Sequence, residues 1–269
     1  ATKKPLREID GKGETWPRDL DPDFRNVDVA ISRTRAEYDG YPEIREVEQL
    51  YLDMIAAAKR FIYFENQYFT CGKIAAAIAE RLNEDDPPEF VLVMPKTADG
   101  WLEQVAMDAA RVQLVRAIAK SKHGSRFRAY YPHTKAGDPI YVHAKTAVVD
   151  DRLIRVGSAN LNNRSMGLDS ECDVTIDAAL PANREAEANI RRLRESLIAE
   201  HLDVEPEEVA GRFDACGSLI ETIEGLRGAG RSLELLDLVP PGPLDEFIAA
   251  NELLDPTSPD AMFEGIAER

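Results

Sequence analysis

Hydrophobic positions along the chain follow two alternating periods. In EIREVEQLYLDMIAAAKR the apolar residues recur every three or four positions, which predicts an amphipathic helix. The next segment, FIYFENQYF, is rich in aromatic residues and predicts a strand. The alternation continues with a helix at KIAAAIAERL, a strand at EFVLVMP, a helix in DGWLEQVAMDAARVQLVRAIAK and a strand at RFRAYY.

The same alternation covers the second half of the chain. IYVHAKTAVVD, RLIRVGS and CDVTID predict three strands, and REAEANIRRLRESLIAEHL predicts a long helix. Strands and helices that alternate at this spacing indicate an α/β fold with a central mixed β-sheet flanked by helices.

Three regions differ in composition. Residues 1–40 are a polar lead-in with a short candidate strand at VDVAIS, which we interpret as the remnant of an interdomain connection. Residues 41–203 carry the regular α/β pattern, and residues 204–269 form a helical and Pro-rich extension. The chain starts at Ala1, and its opening resembles the interior of a longer polypeptide.

Charge and composition narrow the classes of function. The net charge of −16 repels polyphosphate backbones, so nucleic acid is not the expected partner. The three cysteines are too few and too widely spaced for a disulfide framework or a zinc cluster, and we expect no metal or other cofactor. No leader or membrane-spanning run is evident, which predicts a cytoplasmic or peripheral membrane location.

The strand predicted at IYVHAKTAVVD carries the candidate chemistry. Side chains on a strand alternate between faces, so Tyr141, His143 and Lys145 are predicted to share one face. An ammonium beside an imidazole disfavours the imidazolium, and the arrangement therefore suits an anion such as a phosphate between them.

The loop GSANLNNRS follows the next predicted strand and adds neutral donors. Gly157 permits tight backbone geometry, and the Ser158 hydroxyl and the Asn160 amide can bind phosphate oxygens. Farther on, Asp169 or Glu171 could accept the second N–H of the His143 ring.

These residues form the pattern His-x-Lys-x4-Asp-x6-Gly-Ser-x-Asn from His143 to Asn160, with Asp150 as the aspartate. Six residue types at fixed spacing coincide by chance roughly once in ten million positions or less. The segment resembles the HKD motif of the phospholipase D superfamily, and the continuation NNRSMGLDSE resembles the phospholipases D proper.

The resemblance extends from about Asp28 to about Phe213 and implies a phospholipase D-like α/β/α sandwich that corresponds to the C-terminal half of a two-motif enzyme. Such enzymes carry two HKD motifs, whereas this chain has one. The other His-x-Lys, in HTKAGD, has its aspartate two residues too early and is predicted to lie in a loop.

The resemblance also implies roles for single residues. One histidine of the family attacks phosphorus and the other transfers protons, so His143 in the second motif is expected to be the general acid and base. Lys145, Ser158 and Asn160 would then bind the phosphoryl oxygens. Glu171 is preferred over Asp169 for orienting His143 because its spacing agrees with that of single-motif members.

Two further sets of residues complete the expected site. Asp150 ends the strand of His143, and we predict a structural acceptor more than a participant in chemistry. FENQYFT resembles the segment before the second HKD motif, so Glu65, Asn66 and Gln67 are candidates, with Tyr141, for a head-group pocket. An ordinary strand end is the alternative for that segment.

The leading hypothesis is hydrolysis or transphosphatidylation of phosphatidylcholine-like lipids at a membrane surface through a phosphohistidine. The attacking histidine would belong to a missing N-terminal HKD half or to a second identical chain. Two alternatives stay open: a one-motif homodimeric endonuclease or phosphodiesterase, and a non-catalytic module that binds phospholipid head groups.

Overall fold

A mixed β-sheet forms the middle layer of the molecule. The computed structural model describes residues 17, 19–97, 101–236, 255, 256 and 258, without the side chains of residues 101–106. Most of the predicted polar lead-in before residue 19 and the Pro-rich part of the predicted extension lie outside the described residues.

Nine strands of the described chain make up this sheet, in the order β2-β1-β8-β7-β6-β3-β4-β5-β9. They are β1 (Ala30–Arg35), β2 (Ile44–Arg45), β3 (Phe61–Asn66), β4 (Glu89–Val93), β5 (Phe127–His133), β6 (Lys145–Val149), β7 (Leu153–Gly157), β8 (Glu171–Asp177) and β9 (Ser232–Leu235). β3, β4 and β5 are parallel, and the other neighbours are antiparallel. The predicted mixed sheet is confirmed.

Helices cover both faces of the sheet. They are α1 (Glu46–Ala57), α2 (Gly72–Arg81), α3 (Trp101–Ala119), α4 (Asn163–Gly167), α5 (Ala186–Leu202), α6 (Pro206–Cys216) and α7 (Leu219–Leu226). α1 begins later than the amphipathic pattern because Ile44 and Arg45 pair with β1. Within the described residues, no helix combines the length and the apolar character needed to cross a bilayer.

Two hydrophobic cores separate the layers. On one face, α1 to α4 pack on Ile62, Phe64 and other strand residues; on the opposite face, α5 to α7 pack on Phe61, Tyr63 and their neighbours. All six residues of β3 are buried, as expected for a strand covered on both faces. The fold is therefore an α/β/α sandwich.

Segments from both predicted flanking regions belong to this same sheet. β1, from the predicted lead-in, pairs with β8, and β9, from the predicted extension, pairs with β5 at the opposite edge. The boundaries at residues 40 and 203 stay a prediction about domains. The three cysteines all lie within the described residues, and all are free thiols.

Candidate active site

The candidate site lies where the β6–β7 hairpin opens. The strand predicted from Ile140 is shorter than expected, because β6 begins only at Lys145. The ladder stops there since β3 ends at Asn66, which pairs with Lys145, and β7 ends at Gly157. His143 therefore precedes the strand, and its ring is exposed.

Lys145 lies at the centre of this site. Its Nζ donates to the Oε1 atom of Gln67 at 3.0 Å and to the carbonyl oxygen of His143 at 3.1 Å. No ion pair joins Lys145 to a carboxylate of the described residues. Burial lowers the pKa of the ammonium; the negative charge of Glu171 opposes this shift and Arg155 adds to it.

Gln67 connects Lys145 to Tyr141. The Nε2 atom of Gln67 donates to the Tyr141 hydroxyl at 2.8 Å and to the Tyr68 hydroxyl at 3.2 Å. Of the four residues predicted for the head-group pocket, Gln67 thus contacts Lys145, and Tyr141 contacts Gln67. Their role in binding a head group stays a prediction.

The other two pocket candidates point elsewhere. The buried Glu65 carboxylate accepts from the Tyr63 hydroxyl at 2.7 Å and lies 3.1 Å from Nε2 of His201 on α5. Alternation along β3 puts Glu65 on the α5 face of the sheet and Lys145 on the other face, so the prediction for Glu65 is wrong.

Asn66 is buried beneath the loop that follows β7. Its Oδ1 atom accepts from the backbone N–H of Leu161 at 3.0 Å and of Tyr68 at 3.3 Å. With only 1% of its surface exposed, Asn66 supports the loop and does not line an open pocket, which corrects its prediction as a pocket residue.

The loop after β7 brings Ser158 and Asn160 to the same end of the sheet. The Ser158 hydroxyl donates to Glu171 and accepts from the backbone N–H of Cys172 at 3.1 Å. The Asn160 backbone N–H donates to Oγ of Ser165 at 3.0 Å. Among the described residues, the Asn160 amide oxygen has no hydrogen-bond partner.

Of the two candidate carboxylates, Glu171 belongs to the site. It accepts from Ser158 and, at 2.6 Å, from Oγ of Ser165. Asp169 instead forms a two-bond ion pair with Arg164, at 3.1 and 2.7 Å. Within the described chain neither carboxylate hydrogen-bonds to the His143 ring, and the orienting role of Glu171 stays a prediction.

Asp150 lies at the other end of β6. Its carboxylate accepts from the backbone N–H groups of Lys59, Arg60 and Phe61 at 2.7, 2.8 and 2.9 Å. Five residues of strand separate it from Lys145 by roughly 16 Å. Asp150 is a structural acceptor that fixes the hairpin turn to the start of β3, which agrees with its predicted structural use.

The second His-x-Lys lies in a turn, as predicted. His133 ends β5. In the turn that follows, the Thr134 N–H donates to the carbonyl oxygen of Asp138, and the Gly137 N–H donates to the carbonyl oxygen of Thr134. Gly137 has a φ of 90°, a conformation that favours glycine. Lys135 therefore lies in a turn, whereas Lys145 begins a strand.

Sequence reasoning missed three polar groups near the site. The first, His201, contacts Glu65; its place on the apolar face of α5 was the available signal. Asp255 accepts from the hydroxyl of Thr70 at 2.6 Å and from the N–H groups of Asn163 and Arg164. Burial raises the pKa of Asp255. The third group, Arg155, interrupts an apolar strand.

Comparison with known proteins indicates a family for this chain. The family model described as phospholipase D matches residues 93–219, a range that contains Lys145, Ser158 and Asn160. This match and the relatives named next support the phospholipase D superfamily. A phospholipase D of Phytophthora infestans is 24% identical over 250 residues, and phospholipase D1 of Schizosaccharomyces pombe is 25% identical over 218 residues.

This chain matches only part of those relatives. The alignments cover 74% and 62% of this chain, but 14% and 16% of the two relatives. Among solved structures, Nuc of Salmonella typhimurium, a phospholipase D family member, is 16% identical with a TM-score of 0.40 and covers 62% of this chain and 92% of Nuc. Phosphatidylserine synthase of Haemophilus influenzae is 18% identical with a TM-score of 0.43. The match covers 60% of this chain and 38% of the synthase.

Metal binding has no evident site in the part of the chain that the structure describes. No three histidine, cysteine, aspartate or glutamate side chains lie close enough together there to hold an ion. The expectation of a reaction without a cofactor stays a prediction.

Proposed function

We propose that this chain provides one half of a phospholipase D active site that cleaves phosphatidylcholine-like glycerophospholipids. The observation that carries the proposal is the surroundings of Lys145, a partly buried cation that, among the described residues, donates to the neutral oxygens of Gln67 and His143 and pairs with no carboxylate. A partly buried cation without a carboxylate partner is suited to an anionic ligand. The family membership makes that ligand a phosphodiester.

The reaction would take place in two displacements. A histidine outside this chain attacks phosphorus, the bond to the head-group oxygen breaks, and His143 donates its proton to that oxygen. A phosphatidyl group is then attached to the attacking histidine. His143, now neutral, accepts a proton from water or an alcohol as its oxygen attacks phosphorus and the P–N bond breaks. The products are phosphatidic acid or a new phosphatidyl ester.

Neutral and cationic donors would stabilise the charge on the phosphoryl oxygens. Lys145 and the Asn160 amide are the proposed donors, with Ser158 in support. Preorganised donors of this kind lower the barrier because they need no rearrangement as charge develops. Glu171 holds Ser158 and Ser165 and faces Lys145 electrostatically, which supports its inclusion in the site.

A partner half is required to complete the site, and an exposed apolar row is its proposed contact surface. The row consists of Ile31, Val174 and Val156 on β1, β8 and β7, which are cross-strand neighbours. They are 60%, 40% and 52% exposed. Val156 pairs with Thr146, which puts the row on the face of the sheet opposite to Lys145, and it lies two residues before Ser158 in the chain. Apolar side chains aligned this way favour a protein neighbour. We propose that an N-terminal HKD half covers the row.

The proposal is tested with the natural full-length protein and phosphatidylcholine vesicles in the presence of ethanol. Formation of phosphatidylethanol and phosphatidic acid is expected, with loss of both products in a His143→Ala control. A full-length protein that forms neither, yet cleaves another phosphodiester, contradicts the lipid assignment. If the protein binds vesicles without turnover, it is a binding module.

The source of the second half is tested on this chain alone by light scattering. A monomer without activity, restored by the N-terminal part of the full-length protein, supports the proposed half-site. A stable dimer that is active by itself, and loses its activity on Val156→Asp, supports a second identical chain as the partner instead.

A further inference from the structure

Arg155 is a charged residue in the middle of the apolar strand β7, and none of its side chain is exposed. Its Nε and Nη2 atoms donate to Oδ2 of Asp173 at 2.9 and 2.5 Å. The Tyr51 ring lies against the guanidinium, with 4.9 Å from Cζ to the ring centroid. The buried charge is thus paired and stacked, as such a group requires.

The same guanidinium also binds two carbonyl groups that flank the candidate site. Nη1 donates to the Lys145 carbonyl oxygen at 2.8 Å, and Nη2 donates to the Ala159 carbonyl oxygen at 3.0 Å. Lys145 begins β6, and Ala159 lies between Ser158 and Asn160. A single planar group therefore links the two segments that carry the proposed phosphate ligands.

Asp173 fits closely around the loop. Its Oδ1 atom accepts from the Ala159 N–H at 3.3 Å. Gly157 is its cross-strand neighbour, and a Cβ atom at that position would lie 1.8 Å from Oδ1 of Asp173. Only glycine leaves room for this carboxylate, which gives a local physical reason for the glycine in the motif.

We infer that Arg155 and Asp173 are a positioning pair that fixes the separation between Lys145 and the Ser158–Asn160 loop. The inference rests on the proposed function of those residues. An apolar pair of similar volume could fill the same space, but it could not hold the carbonyls of Lys145 and Ala159. The fixed fork of an arginine can, because its donors are coplanar.

The double variant Arg155→Met with Asp173→Ala separates positioning from folding. Exchange of a buried ion pair for apolar residues often leaves stability nearly unchanged, so a parental unfolding midpoint is expected. Misplacement of the ligands should lower kcat for phosphatidylcholine about 10- to 100-fold in the full-length protein, with KM little changed. Arg155→Lys should have the same effect on kcat.

A control uses the same ion-pair chemistry between the turn that precedes β7 and the end of β8. Arg152 and Asp177 form a two-bond pair at 2.8 and 2.7 Å, at the closed end of the β6–β7 hairpin. Arg152→Met with Asp177→Ala should keep the parental kcat. Parental kcat in the folded Arg155 variants would overturn the inference, and so would a failure of both Arg155 variants to fold.

A separate readout distinguishes this inference from the proposed function. If the full-length parent turns over no phosphodiester, the proposed function fails, and sulfate affinity of this chain is measured by calorimetry. Weaker sulfate binding in Arg155→Lys than in the parent and the Arg152/Asp177 control would still support positioning. Equal affinity in all three proteins would overturn it.

Discussion

The two ends of the β6–β7 hairpin are built from similar parts and used differently. Each has a fully buried arginine paired with an aspartate: Arg155 with Asp173 at the open end, and Arg194 with Asp151 at the closed turn. Arg194 binds Asp151 through two bonds, at 2.5 and 3.0 Å, and stacks on aromatic rings. That pair fastens α5 to the turn.

The two ends differ in whether the polar groups near each arginine–aspartate pair have partners within the protein. At the closed turn, Asp150 accepts three backbone N–H groups, so the acceptors are used within the protein. At the open end, Lys145 has only neutral acceptors among the residues that the structure describes, and His143 is exposed. We propose that the open end is arranged for a ligand and the closed turn for stability.

The largest expected effect is on turnover and comes from His143→Ala in the full-length protein. Loss of a general acid and base should lower kcat about 10²- to 10⁴-fold. The unfolding midpoint should not change, because the ring is exposed and makes no hydrogen bond within the described residues. Steady-state kinetics and thermal unfolding measure the two quantities, with His133→Ala as the control. A lowered midpoint would contradict the assignment of this end to ligand binding.

The opposite effect is expected from Asp151→Ala at the closed turn. It leaves the buried Arg194 guanidinium without its partner, which should lower the free energy of unfolding by about 3–5 kcal/mol. Urea unfolding of this chain measures the change. Asp177, the partly exposed partner of Arg152, serves as the control, with about 1 kcal/mol or less expected for Asp177→Ala. A large fall in kcat per folded molecule would contradict the assignment of the closed turn to stability alone.

Asp150→Ala should produce a smaller loss of stability. Three backbone N–H groups lose their acceptor, but those of Lys59 and Arg60 are near solvent, so about 1–3 kcal/mol is expected. Turnover per folded molecule should stay at the parental value. A strong loss of turnover without a loss of stability would give Asp150 a part in the chemistry after all.

The smallest effect concerns protons at Lys145. Burial lowers the pKa of this ammonium, and a bound dianion should raise it again, so sulfate binding should take up less than one proton near the lowered pKa. Sulfate does not itself titrate there. Calorimetry in two buffers with different ionisation enthalpies measures the uptake. Lys145→Arg, which stays charged, should show none, and proton release by the parent would contradict the proposal.

Local sequence patterns predicted much of the fold and the position of the site. The helix α1, the buried strand β3 and the motif residues from Lys145 to Asn160 depend on near neighbours in the chain, which is why periodicity and spacing found them. The shorter β6 was not predictable in this way, because its start is set by where β3 and β7 end.

Contacts between distant residues account for the remaining errors. Whether Glu65 points to the site or to His201 depends on which face α5 covers, and a strand pattern does not contain that information. Arg155 was only a charge in an apolar run until Asp173, 18 residues away, was brought beside it by the pairing of β7 and β8. The sequence alone did not predict which residues of neighbouring strands pair with each other.

We propose that His143 transfers protons while a histidine outside this chain forms the covalent bond. It is tested most directly with full-length His143→Ala and a phosphatidyl ester of p-nitrophenol, a leaving group that needs no acid. A burst of about one p-nitrophenolate per active site, followed by slow turnover and an accumulated phosphohistidine, is the predicted result. No burst, with the parental protein active on the same ester, would contradict the account and make His143 the attacking residue.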